Sequence, residues 1–380
     1  MEIFAVIIDS QIKDLLYELE QAPPHRDPGP LLAKLIQTLT HNCQRHPHTP
    51  HHHPPAYPHI PLPAYPTDAE GYAIAQDPLQ DEAAFKDTFH TYGLVVGKQV
   101  ITPALCTRAV ARLEELTAAL SDGTCDLRNP DTWHHMPQDA QGAPLLSRGF
   151  YEVYHDALWA DIRQSLRLYL HHVVLWHRAD LWTSFDRFGI KLPQSPDGKA
   201  LGLHVDQNPT VHSGFKTLQG ILALADNPAE QGTFRAVCGS RALFVDYAPL
   251  ATNKGEYIAL SDGSELAERL RPHAQAFPLH AGDIVTWDSR TTHANTSNLS
   301  DSPRFVAMVA AGPAPADFAA QQAIRKEAFA SALGSNVRDA LMHASQKPRF
   351  TDSARMNHHR TPENLNLLGE HLYGFRPYAS

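Results

Sequence analysis

The hydrophobic pattern changes its period part-way along the chain. Over residues 1–45 apolar positions recur every three or four residues: Leu15, Leu16 and Leu19 follow Asp9-Ser10, and a second run extends from Leu31 through Leu39. This is the helical repeat, Asp9-Ser10 can cap the first helix, and Pro23, Pro24, Pro28 and Pro30 separate the two. Residues 46–66 (HPHTPHHHPPAYPHIPLPAYP) exclude helix and predict an extended polyproline connector. Helix returns at Phe85–Tyr92, gives way to a short strand at Gly93–Gly97, and resumes where Thr102 caps and Pro103 opens an amphipathic run with Leu105, Val110 and Leu113 on its apolar side. A further helix is expected over Leu158–Leu170. From about Leu181 the pattern becomes short apolar stretches separated by Gly, Pro, Asn and Asp. Strands are expected at Phe188–Leu192, Leu201–Val205, Leu218–Leu224, Thr233–Val237, Ala242–Val245, Ala276–Leu279, Asp283–Trp287 and Arg304–Ala310. A helical pattern closes the series over Phe318–Ala344. Many short strands flanked by helices predict a mainly β fold, a barrel or jelly roll.

The 380 residues suffice for one large domain with extensions. Net charge of -9 argues against a nucleic-acid binder. No run approaches the length of a spanning helix, and the short apolar stretch Ile3–Ile8 behind Glu2 is not a signal peptide, so a cytoplasmic protein without membrane partners is expected. Cys43, Cys106, Cys125 and Cys238 are scattered without a Cys-x-x-Cys and read as reduced thiols.

The chemistry concentrates in the β region. His204 and Asp206 stand two apart in Leu203-His-Val-Asp206, a spacing that puts both side chains on one face of a strand. With 24 histidines in the chain, such a pair alone is weak. Its context strengthens it: Gly282-Asp283 marks a turn, Ile284–Trp287 is an apolar strand, His293 follows, and a second turn leads to Arg304 at the start of the next strand. Two imidazoles and a carboxylate on one face of a metal describe a non-haem Fe(II) site with open positions. A guanidinium beyond it suits a carboxylate, so the set describes a metal-chelating keto acid held by its far end.

Here the chain resembles the phytanoyl-CoA dioxygenase family of Fe(II)- and 2-oxoglutarate-dependent oxygenases, over roughly Phe85 to Pro313. The resemblance rests on Tyr92-Gly-Leu-Val-Val, His204-Val-Asp206, Gly232-Thr-Phe-Arg-Ala-Val-Cys-Gly-Ser-Arg241, Gly282-Asp283, His293 and Arg304. It implies a double-stranded β-helix core and makes His204, Asp206 and His293 the catalytic iron ligands. It gives Arg304 the C5 carboxylate of 2-oxoglutarate, and makes Phe188-Gly-Ile-Lys-Leu-Pro193 the strand lining the co-substrate pocket, with Phe188 and Lys191 as contacts. It implies O2 as oxidant and succinate and carbon dioxide as co-products. Cys238 and Arg241 replace the family's proline and histidine, and Val306 stands where some members carry a hydroxyl. Relatives that halogenate lack the carboxylate ligand; Asp206 is present, which points to hydroxylation or another oxidation without halide.

The remaining candidates have bland readings beside the functional ones. Lys191 is a carboxylate contact or a solvent-facing strand lysine, and Trp287 is core rather than a substrate platform. Asp288 and Arg290, close to His293, are read as orienting it or touching substrate; Arg187, Gln207 and Asn208 flank the pocket as substrate contacts. His51, His52 and His53 belong to an exposed linker or grip a metal. The doublets His134-His135, His171-His172 and His358-His359 read as surface residues. The expected organisation is a helical extension over 1–45, a linker over 46–66, a dioxygenase domain over 67–317 and a C-terminal helical extension over 318–380. The expected function is hydroxylation of a small metabolite or biosynthetic intermediate. Competing readings are a cupin-like metal-binding protein without turnover and an oxygenase acting on a protein- or carrier-tethered substrate.

Overall fold

The computed structural model describes residues 6–23, 26–45, 62–137, 146–147, 150–151, 153–193, 201–252, 255–261, 263–334 and 358–378. The histidines at 51–53 lie outside these. Two antiparallel sheets face each other. The larger runs β1 (Leu94–Gly97), β11 (Ile284–Asp288), β7 (Leu218–Ala223), β13 (Arg304–Met308), β5 (Phe188–Lys191), β3 (Phe150–Tyr151) and β2 (Leu146–Ser147); the smaller runs β10 (Ala274–Phe277), β8 (Phe234–Val237), β12 (His293–Asn295), β6 (His204–Val205) and β9 (Ile258–Ala259). A third pairing joins β4 (Leu181–Thr183) to β14 (Ala311–Pro313). This is the jelly-roll arrangement expected.

Strand alternation sorts the side chains into two cores. Ile221, Ala223, Phe234, Ala236, Phe277, Val285, Trp287 and Val306 fill the space between the sheets. On the outer face of the larger sheet Phe188, Ile190, Phe305 and Ala307 meet α4 (Pro103–Leu120) and α5 (Ala157–Arg163). Thr102 caps α4 as expected, accepting the Leu105 amide at 3.2 Å.

Residues 6–23 and 26–45 pack against the rest of the fold. Ile12, Leu15 and Leu16 of α1 (Ser10–Gln21) and Leu32, Leu35 and Leu39 of α2 (Gly29–Arg45) share one core with Phe85 and Phe89 of α3 (Glu82–Tyr92), α6 (Leu166–Trp176) and the C-terminal helix Leu367–Leu372. The buried Glu82 carboxylate ties the junction, accepting the Ile7 amide at 2.9 Å and the Ile8 amide at 2.7 Å and pairing with Lys86.

Four expectations need correction. His171 and His172 are buried, because every residue of α6 from Leu168 to Trp176 is covered, whichever side of the helix it is on. His171 Nε2 meets Thr286 Oγ1 at 2.8 Å, and burial holds both imidazoles below their usual range, hence neutral. Ala242–Val245 is not a strand but part of a 3-10 turn, Ser240–Leu250, started by Gly239 at φ 74°, a conformation costly for a residue with a Cβ. The expected Leu158–Leu170 helix is two helices, since Gln164 and Ser165 break it. Of Phe318–Ala344, helix α8 covers Phe318–Ala330 and positions beyond 334 lie outside the described residues.

Candidate active site

Strands β6 and β12 are neighbours, and the Cα atoms of His204 and His293 are direct partners across them. Directly opposed residues share a face. The two rings therefore meet, with centroids 4.2 Å apart, and Asp206 follows just beyond β6. One ligand atom from each of His204, Asp206 and His293 lies within 4.8 Å of the others, and Asp206 Oδ2 is 3.5 Å from His293 Nε2.

The backbone sets the tautomers. His204 Nδ1 is 2.8 Å from the Gly202 carbonyl and His293 Nδ1 is 3.0 Å from the Thr291 carbonyl. A carbonyl only accepts, so each Nδ1 carries the proton and each Nε2 presents a lone pair, the form in which histidine binds metal. Gln219 on β7 donates from Nε2 to Asp206 Oδ2 at 3.0 Å, fixing the carboxylate. Sequence reasoning missed Gln219; its signal was a primary amide inside the otherwise apolar strand Leu218–Ala223, where a buried polar group needs a partner.

The cationic end lies on the larger sheet. Arg304 on β13 stands opposite Lys191 on β5, on the inward face shared with Val306. Both are buried. Among the described residues Arg304 Nε and Nη2 have no hydrogen-bond partner, an unusual state for a buried guanidinium. Burial pushes Arg304 down to about 10, and burial with the neighbouring Arg304 charge pushes Lys191 down to about 8. Lys191 Nζ donates to the Thr296 carbonyl and to Asn295 Oδ1. It is thus no solvent-facing strand lysine.

The family profile described as Phytanoyl-CoA dioxygenase (PhyH) matches residues 89–306, more than half of the chain and inclusive of His204, Asp206, His293 and Arg304. The chain belongs to this family. Among curated relatives, the "Ava biosynthesis cluster protein O" of Aspergillus versicolor is 25% identical over 279 residues, covering 66% of this chain and 84% of that protein. A "Putative phytanoyl-CoA dioxygenase" of Dictyostelium discoideum is 27% identical over 111 residues, 29% of this chain and 31% of that one. Among solved structures, a hypothetical protein from Escherichia coli, JW0805, shares the fold with a TM-score of 0.56, 15% identity, and coverage of 96% of this chain and 95% of its own.

Within this phytanoyl-CoA dioxygenase-family fold, the other expected site residues are engaged elsewhere. Phe188 stacks on Trp159 (centroids 3.4 Å apart) on the face of β5 opposite to Lys191, so it packs the helix layer. Asp288 does not orient His293: Arg290 Nε and Nη2 grip its oxygens at 3.0 and 2.6 Å, and Arg241 approaches at 3.6 Å. Burial alone would raise the Asp288 carboxyl, but Arg290 and Arg241 outweigh it and hold it below the usual range. Arg241 is thus one of three residues in a buried charge cluster. Gln207 donates to the His212 and Gly214 carbonyls and accepts from Ser289 Oγ, shaping the loop after Asp206. Asn208 ties that loop to Gly255, and Arg187 pairs with the adjacent Asp186. Trp287 is core as expected, 5.1 Å from the His293 ring. Tyr257, which the sequence did not suggest, sits 4.8 Å from the His204 ring.

Proposed function

We propose that this protein is an Fe(II)- and 2-oxoglutarate-dependent dioxygenase that hydroxylates a small metabolite or biosynthetic intermediate. Arg304 carries the reading: a buried guanidinium whose Nε and Nη2 donors are unused among the described residues, on the inward face of the same jelly roll as a two-histidine, one-carboxylate group, suits the carboxylate of a ligand. His204, Asp206 and His293 would hold Fe(II) and leave positions for a bidentate keto acid and O2. Arg304 and Lys191 would take the distal carboxylate of 2-oxoglutarate. When bound, iron and keto acid supply the oxidising power, with succinate and carbon dioxide as co-products. The chain's own work is orientation. The Gly202 and Thr291 carbonyls hold the Nδ1 protons, so each neutral imidazole turns its Nε2 lone pair to the site, and Gln219 holds Asp206 toward the imidazoles. A biosynthetic intermediate as substrate is supported by the Aspergillus relative, whose name assigns it to a biosynthesis cluster.

The test needs no knowledge of the substrate. Wild type supplied with Fe(II), 2-oxoglutarate, O2 and ascorbate should release succinate above the enzyme-free control, and Asp206→Ala should not. Anaerobically, Fe(II) with 2-oxoglutarate should give a weak visible charge-transfer band that His204→Ala and His293→Ala abolish. Tight iron binding by a wild type that stays silent across a broad metabolite panel makes the protein a metal binder without turnover.

A further inference from the structure

We infer that the indole N–H of Trp287 is a second anchor for 2-oxoglutarate, donating to its keto-acid head, an inference that rests on the dioxygenase reading above. The chain has five tryptophans. Nε1 of Trp133, Trp159 and Trp176 donates to the carbonyls of Leu127, Val153 and Ala311. A buried indole N–H ordinarily finds such a partner. Nε1 of Trp182 and of Trp287 is buried and has none among the described residues. Trp182 belongs to the β4–β14 pairing, with Phe318 and the Arg325 guanidinium against its ring. Trp287 lies against the ligand strands.

The Trp287 ring fills part of the space between the sheets, 5.1 Å from the His293 ring and 4.4 Å from that of Phe234. Its register partners are Leu94 on β1 and Gln219 on β7, so described residues flank it on both sides and across the gap. Gln219 faces the same space. Its Nε2 donates to Asp206 Oδ2, and because a carboxylate only accepts, the amide oxygen must point elsewhere; that oxygen too has no partner. An orphan donor therefore stands beside one ligand imidazole and next to the side chain that holds the ligand carboxylate. The other orphan donors of this inward face are Nε and Nη2 of Arg304. A 2-oxo diacid is an acceptor at both ends. One carboxylate suits the guanidinium; at the other end, a head that chelates through its keto oxygen and one carboxylate oxygen keeps the second carboxylate oxygen for a donor. Trp287 is the neutral N–H available there. The internal alternative is the opposed Gln219 Oε1, and the test separates the two.

The full chain with nitrogen-15 tryptophan, loaded with Zn(II) so that no turnover occurs, gives one indole N–H resonance per tryptophan, and Trp287→Phe identifies the one of interest. Adding 2-oxoglutarate should move that resonance downfield. Pyruvate, which keeps the keto-acid head and lacks the far carboxylate, should move it the same way. By equilibrium dialysis Trp287→Phe, which keeps a ring and removes the N–H, should weaken 2-oxoglutarate about 10-fold and pyruvate by the same factor. Trp182→Phe, which removes the other orphan N–H, should leave both affinities as in wild type. A Trp287 resonance that ignores 2-oxoglutarate yet shifts in Gln219→Leu assigns the N–H to Gln219 and overturns the inference. So does a loss of 2-oxoglutarate affinity in Trp287→Phe that pyruvate does not share, or that Trp182→Phe reproduces. Binding of 2-oxoglutarate by wild type and its succinate release report separately on the dioxygenase reading, so the two can fail independently.

Discussion

Two clusters of buried charge flank the ligand strands, and they differ in one respect. At Asp288, Arg290 and Arg241 the charges include both signs: a carboxylate sits between two guanidinium groups, gripped by Arg290 at 3.0 and 2.6 Å and approached by Arg241 at 3.6 Å. At Arg304 and Lys191 two cations face inward together with no carboxylate among the described residues. Both clusters are equally out of water. Burial of charge alone does not tell the two apart; the presence of a carboxylate among the described residues does. Under the proposed function, the set that lacks one is where a ligand carboxylate would enter.

The contrast breaks most sharply under paired deletions. Asp288→Ala leaves two buried guanidinium groups without their carboxylate and should cost about 3–5 kcal/mol of stability, read by chemical denaturation. Arg304→Ala removes a buried charge whose Nε and Nη2 have no partner among the described residues. It should leave stability near wild type or above it while weakening 2-oxoglutarate binding by about 2–5 kcal/mol, read by calorimetry, with Arg304→Lys restoring part of the loss. If Asp288→Ala is mild and Arg304→Ala unfolds the protein, the assignment of the two clusters is reversed.

A smaller effect is expected at Gln219. Gln219→Leu keeps the volume and removes the hydrogen bond to Asp206, and should weaken Co(II) binding about 10-fold without moving 2-oxoglutarate affinity in the same proportion. An unchanged metal affinity would mean that Asp206 is held by other contacts.

The smallest effect is a pH dependence at Lys191, whose buried ammonium is pushed down to about 8. Between about 8 and the ordinary lysine range the unfolded chain holds a proton that the ligand-free folded chain has lost, so Lys191 makes the stability of the unliganded protein rise with pH over that window. Carboxylate binding favours the ammonium and takes a proton up, so 2-oxoglutarate affinity should fall as pH rises above about 8 and be flat below it. Lys191→Met should remove both trends. Persistence of either in that variant assigns it to another group.

What the sequence made legible was local. The two-residue spacing of His204 and Asp206, the Gly282-Asp283 turn and the position of Arg304 are short-range features; the structure puts His204, Asp206 and His293 within 4.8 Å of one another and Arg304 at the start of β13. What stayed hidden depended on partners far along the chain. Asp288 reads as a site residue until Arg241 arrives from another turn to complete its cluster. Phe188 and Lys191 share one strand, and only the register with β13 shows which of them faces inward. The His171-His172 doublet reads as polar by composition, yet it sits in a helix whose every face is covered.

The Glu82 junction bears on the order in which the molecule can be assembled. Glu82 collects the Ile7 and Ile8 amides, and the apolar sides of α1 and α2 close against α3, α6 and the C-terminal helix. The helices synthesised early thus wait for surfaces made late. During that interval Leu15, Leu16, Leu35 and Leu39 have no permanent cover, and the last helix completes the shell around them. Contacts of such long sequence separation slow folding and lengthen the time for which apolar helix faces stand open to other chains. For this protein that open interval belongs to the helical shell and not to strands β6 and β12.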